Sequence, residues 1–308
     1  MKKIIFGAVF SFLVIYAFAQ NVSDFDVQGN EDGTMTIMNY KGAAKDIIIP
    51  EKIFNLPVSR LNNNSFRNKG LTGIVIPKTV SFIGNGTFMQ NQLASVTIPE
   101  TVTHIGNSAF DNNRLTSIAL PRNLEYIGNS AFANNQLTSL TIPGSVLIID
   151  HYAFANNRLT SITIPNSVTF IGNRAFDGNL LTNVVIGNGV VYIGNSAFTC
   201  NGNYSNDNRI TSLTLGSSIR YIGEYAFYGH RISTLVIPQS VAFLGTYAFA
   251  ANGQNILVNI TIGRFVISWW DDYGGAFQNC NSFDYFYVNN QLKAGRYTLT
   301  NGNWNYTQ

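Results

Sequence analysis

Charge is what this sequence has least of. Only 11% of its 308 residues are Asp, Glu, Lys or Arg, against about a quarter in ordinary soluble domains. No run of Lys or Arg is present to follow a phosphate backbone, which argues against nucleic acid as a partner. Histidine is scarce as well. His104, His151 and His230 stand at unrelated spacings, and no Cys/His cluster suits zinc, so neither a metal nor a cofactor is expected. A G-x-S-x-G elbow and a phosphate loop are both absent, and Asp271-Asp272 reads as a solvated loop tip, so no catalytic role is expected. Beyond residue 18 no apolar run reaches the roughly 20 residues of a membrane span. Apolar residues as a class are plentiful, at 45%, and that excludes a disordered chain.

The first residues read as an export address. Lys2 and Lys3 form a positive start, Ile4 to Phe18 is an apolar run, and Ala17-Phe18-Ala19 offers small residues to a signal peptidase. Residues 1–19 are expected to be removed. That leaves 17 basic against 16 acidic residues, a nearly neutral secreted, cell-surface or periplasmic protein with no membrane span in its mature form.

The rest of the chain repeats. Phe66, Phe88, Phe110, Phe132, Phe154, Phe176 and Phe198 follow one another at 22 residues, and Phe227, Phe249 and Phe277 continue the series across two insertions. One unit, residues 159–180, reads LTSITIPNSVTFIGNRAFDGNL. Its L-x-x-I-x-I alternation predicts a short strand with one buried face, closed by Pro165. The segment V-x-x-I-G follows. Gly172 and its equivalents give way to Asn62 and Asp150, and to Tyr273 inside the last insertion, so a left-handed backbone is expected at that position. Ala175-Phe176 then reads as a single helical turn with the ring pointing inward. Three residues beyond each Phe stand Asn91, Asn113, Asn135, Asn157, Asn179, Asn201 and Asn252, a row expected to satisfy backbone groups of successive turns.

The string I-P-x-S/T-V-x-x-I-G-x-x-A-F, recurring in register from about Ile49 to Phe277, resembles the bacterial BspA-type leucine-rich repeat. The resemblance implies a repeat solenoid, mainly β: a right-handed coil with a parallel sheet on its concave face. About ten coils are expected over residues 48–280, because one coil cannot bury its apolar side alone. Hairpin-like caps are expected at residues 20–47 and 281–308. Cys200 and Cys280 would lie three coils apart, roughly 14 Å at one strand spacing per coil. A disulfide needs Cα atoms within about 7 Å, so two unpaired thiols are expected.

Four surfaces are candidates for binding. The outward residues of the first strand, Thr116, Ser117, Thr138, Ser139, Thr141, Thr160, Ser161 and Thr163, make a field of hydroxyls. Arg114, Arg158, Arg209 and Arg231 form a sparse basic rim. Tyr126, Phe170, Tyr192 and Tyr221 belong to an aromatic row on the opposite side. The insertions carry Tyr204, Trp269 and Trp270, residue types that often anchor partners from loops. Family resemblance implies an exported, non-catalytic adhesin-like protein engaging host, matrix or cell-surface proteins, or glycans. The competing reading is a scaffold protein of the envelope or periplasm with no host ligand.

Overall fold

The computed structural model describes residues 21–199, 210–250, 259–262, 276–277, 294–300 and 303–307. The segment 1–19, Cys200, Tyr204, Arg209, Trp269, Trp270, Asp271-Asp272 and Cys280 fall outside the described residues, as do Asn201 and Asn252. The chain winds into stacked 22-residue coils with no α-helix among the described residues. It is a β-solenoid, as the period predicts.

Each coil contributes three segments. The aromatic side holds two-residue strands, Phe82–Ile83, His104–Ile105, Tyr126–Ile127, Ile148–Ile149, Phe170–Ile171, Tyr192–Ile193, Tyr221–Ile222 and Phe243–Leu244. They pair in parallel, each with its equivalent one coil on. This ladder is part of a twelve-stranded sheet. A hairpin of Phe25–Gly29 and Met35–Tyr40 joins its first end through Leu56–Leu61.

The hydroxyl side, where the L-x-x-I-x-I pattern predicted the parallel sheet, is less continuous. Asp46–Ile48 pairs only with Gly73–Val75. The next coils share one isolated bridge, Thr97 to Ala119. Ser161–Ile164, Asn183–Ile186 and Ser212–Thr214 form a three-stranded sheet. Thr234–Val236 pairs with Asn259–Ile262, which is then met antiparallel by Gly295–Thr300 and Asn303–Thr307. The continuous sheet therefore lies one segment later in the repeat than its strand pattern suggests.

The third segment holds the core spine. Phe66, Phe88, Phe110, Phe132, Phe154, Phe176, Phe198 and Phe227 are essentially inaccessible to water. Neighbouring rings stack at 5.1–5.5 Å between centroids, most within 15° of parallel. Here the expected helical turn does not form. The N–H of Ala175 donates to Gly172 and that of Asp177 to Arg174, both in four-residue turns. Arg174, Phe176 and Gly178 instead donate outward, to Asn195, Ala197 and Thr199 of the next coil. Alternate N–H groups thus bond between coils, which a helix would forbid.

The glycine row has a different cause from the one the sequence suggested. Gly106 and Gly194 are not left-handed. A Cβ at Gly106 would stand 2.5 Å from the carbonyl carbon of Gly84, and one at Gly194 would stand 2.5 Å from the amide nitrogen of Asn173. The glycines let adjacent coils touch backbone to backbone. The left-handed residues come two positions later, at Ser108, Ser130, Tyr152, Arg174, Ser196, Tyr225 and Tyr247.

Candidate binding surfaces

Two rows of side chains fix the coils before any surface is presented. In the inner row, Asn135 Nδ2 donates to the carbonyls of Phe110 at 2.9 Å and Phe132 at 3.2 Å, while its Oδ1 accepts from Leu115 N–H at 3.0 Å. Asn91, Asn113, Asn157 and Asn179 share this role. His230 takes the slot in the coil of Phe227, a substitution the sequence reading passed over. Ile210 N–H donates to its Nδ1 at 3.2 Å, so Nε2 carries the proton that meets the Phe198 carbonyl at 2.6 Å.

The outer row was missed altogether. Oδ1 of Asn63, Asn85 and Asn107 accepts from the backbone N–H of the next member, ending at Asn129. Asn173 and Asn195 continue it to Glu224. Between these runs Asp150 interrupts the glycine row. Its Oδ1 takes the N–H of His151, and His151 Nδ1 accepts from Asn173. An Asn directly after Gly84, Gly106, Gly128, Gly172 and Gly194 was the available signal.

On the hydroxyl side, Thr116, Ser117, Thr138, Ser139, Thr141, Thr160, Ser161 and Thr163 are all exposed. Their strands are discontinuous, so they do not form one lattice. Along the rim Arg114 and Arg158 are exposed and separated by half-buried Gln136, while Arg231 is half-buried.

The aromatic side gathers more. Phe170 and Tyr192 stack at 4.9 Å, Tyr192 and Tyr221 at 4.6 Å, and Tyr221 and Phe243 at 4.5 Å, all within 9° of parallel. These rings stay half-exposed. Tyr126 does not join them. Ile148 stands between, and the Tyr126 hydroxyl donates to Asp150 Oδ2. Burial, together with that bond and the carboxylate charge, pushes the Tyr126 phenol up to about 12. Burial also raises Tyr221, with Tyr192 and Glu224 adding to it. A second tier of the left-handed residues runs beside the first. Arg174 lies over the Tyr152 ring at 5.8 Å, and Tyr225 stacks on Tyr247 at 4.9 Å. Leu147, Ile148 and Val191, at 46%, 36% and 38% exposure, complete an apolar strip on the same side.

Among the described residues no three His, Cys, Asp or Glu side chains converge as a metal site. No helix there is long and apolar enough to cross a membrane. The model of the BspA type leucine rich repeat region matches six copies, over residues 59–181, 125–256 and 202–305. The chain belongs to the BspA-type leucine-rich repeat family. No curated protein matches it. Among solved structures of such repeats, it is similar to a leucine rich cell surface protein of Faecalibacterium prausnitzii, at 23% identity over 85% of this chain and 92% of that one, TM-score 0.43. It is likewise similar to a leucine-rich repeat protein of Bacteroides ovatus, at 21% over 86% and 92%, TM-score 0.44. The pneumococcal vaccine antigen PcpA is 20% identical over 85% of each chain, TM-score 0.47.

Proposed function

We propose that this BspA-type protein is an exported, non-catalytic binding protein of the bacterial surface. It engages a host, matrix or cell-surface protein through the aromatic side of its solenoid. One observation carries the choice of side. Half-exposed rings from four successive coils stack there, bordered by Leu147, Ile148 and Val191. Contiguous apolar surface of this kind marks interaction sites. Covering one such large side chain contributes up to about 1.5–3 kcal/mol, so a few suffice for useful affinity. The hydroxyl field offers neutral groups already content with water. The cell-surface description of the Faecalibacterium protein and the antigen status of PcpA support exposure of this chain on the cell.

The test compares two surface variants for binding to purified extracellular-matrix proteins and to intact host cells. Tyr192→Ser with Tyr221→Ser should weaken binding at least tenfold. Thr116, Thr138, Thr160 and Thr163 replaced together by Lys should leave it within threefold. The reverse pattern would move the site to the hydroxyl side. Resistance of the chain to protease on intact bacteria would instead favour an envelope scaffold.

A further inference from the structure

The first coil contains an addition that no other described coil carries. Sixteen residues separate Pro50 from Phe66, whereas eleven separate Pro77 from Phe88. The extra residues form a finger. Lys52–Ile53 and the start of Leu56–Leu61 pair antiparallel, with Lys52 opposite Pro57 and Ile53 opposite Leu56. Only Phe54 and Asn55 connect them, with φ of 52° and 66°. Two left-handed residues in a two-residue link make the turn that favours Asn-Gly, and a bulky aromatic is a poor choice there.

Phe54 is also 74% exposed, more than any other large hydrophobic among the described residues. Tyr152, Tyr225 and Tyr247 share its backbone region, but each has a ring or guanidinium against it. No ring lies against Phe54 among the described residues. The root is firm, since Ile53 and Val58 are fully buried. A strained backbone thus holds a large ring out in water, on a rigid base, with no evident gain to the fold. Strain and exposure together point to a function outside the fold.

We infer that Phe54 is a recognition anchor that inserts into an apolar pocket of a protein partner. The inference rests on the reading of the chain as a surface binding protein and adds a second contact to it. A protein pocket suits the finger better than a lipid surface. The tip is one ring wide with exposed Leu56 behind it, and its flanking charges nearly balance: Glu51 lies 3.8 Å from Lys78, beside Lys52. Membrane docking instead draws on broad apolar faces and clustered cations. A rigid aromatic held in its bound geometry is the feature that protein interfaces reward.

The decisive variant is the double substitution Phe54→Asn with Asn55→Gly, which supplies the residues this turn favours. Its melting midpoint should rise by about 2 °C, while binding to matrix proteins and host cells falls at least tenfold. A lower midpoint would show that the ring supports the fold and overturn the inference. Undiminished binding, where the unaltered chain binds, would overturn it and leave the aromatic side as the site. Absence of binding by the unaltered chain would bring down the functional reading itself. Sedimentation with phosphatidylserine-containing vesicles that depends on Phe54 would overturn the protein pocket in favour of a membrane.

Discussion

On the hydroxyl side of each coil the sequence alternates as a strand should, yet the ladder there breaks into short sheets and a lone bridge. On the aromatic side only two residues per coil are extended, yet the ladder runs unbroken from Phe82 to Phe243. The difference lies in what stands next to each strand. The aromatic strands are followed at once by glycines whose absent Cβ lets neighbouring backbones close up, and by the Asn row that bonds coil to coil. The hydroxyl strands of the stretch that shares only a bridge end in Pro99, Pro121 and Pro143, and Pro supplies no N–H to a ladder. Pro165 also closes a strand, but the two coils that follow it in the three-stranded sheet carry Gly187 and Gly216 at that place. Sheet continuity in this solenoid is therefore set at the corners of the coil rather than along its strands.

Both sides hang on the phenylalanine spine, so the largest effect should be common to them. Phe132→Ala removes a fully buried ring stacked above and below and should cost about 3–5 kcal/mol in urea unfolding. Amide exchange should quicken on both sides. Quickening confined to one side would mean that the two are held separately. The next effect should divide them. Gly194→Ala drives a methyl group into backbone of the preceding coil and should cost about 1–3 kcal/mol. Ser161→Ala, on the open hydroxyl face, should stay within about 0.5 kcal/mol. Equal costs would remove the corner as the explanation. Smaller again, Tyr192→Leu keeps apolar bulk but loses two stacked partners, a loss of about 1–2 kcal/mol by the usual worth of an aromatic pair.

The same contrast explains what could be read from the chain unaided. The Phe spine and the inner Asn row were legible because each side chain has one physical use at that place: a ring that must be buried, and an amide that must reach three backbone groups. Gly172 was not, because glycine serves both a left-handed turn and a close backbone approach, and the two leave the same letter. The residues that do turn left-handed include Ser108, Tyr152 and Arg174, types that give no such signal. His230 stayed hidden because its imidazole imitates an Asn amide, accepting on one nitrogen and donating on the other. The finger at Phe54 precedes the first repeat Phe, so no interval in that series exposed it.

The finest distinction between the sides is in how they respond to alkali. Hydroxyls of Thr and Ser do not titrate, whereas the aromatic side holds Tyr126 with its phenol pushed up to about 12. Its ordinary value in an unfolded chain is near 10. The folded state thus favours the neutral phenol, so the stability gained from it is complete below about pH 10 and is lost as pH rises through about 12. Tyr126→Phe gives up the bond to Asp150, so it should be slightly less stable than the unaltered protein at pH 8. The gap between their urea midpoints should then narrow by pH 11.5, because only the unaltered protein has a phenol left to ionise. Subtracting one midpoint from the other cancels the remaining tyrosines, including Tyr221. Thr141→Val on the hydroxyl side should show a gap independent of pH. Parallel curves for Tyr126→Phe would mean that Asp150 and the Tyr126 hydroxyl do not hold each other in solution, and the interruption of the glycine row at Asp150 would then lack its compensation.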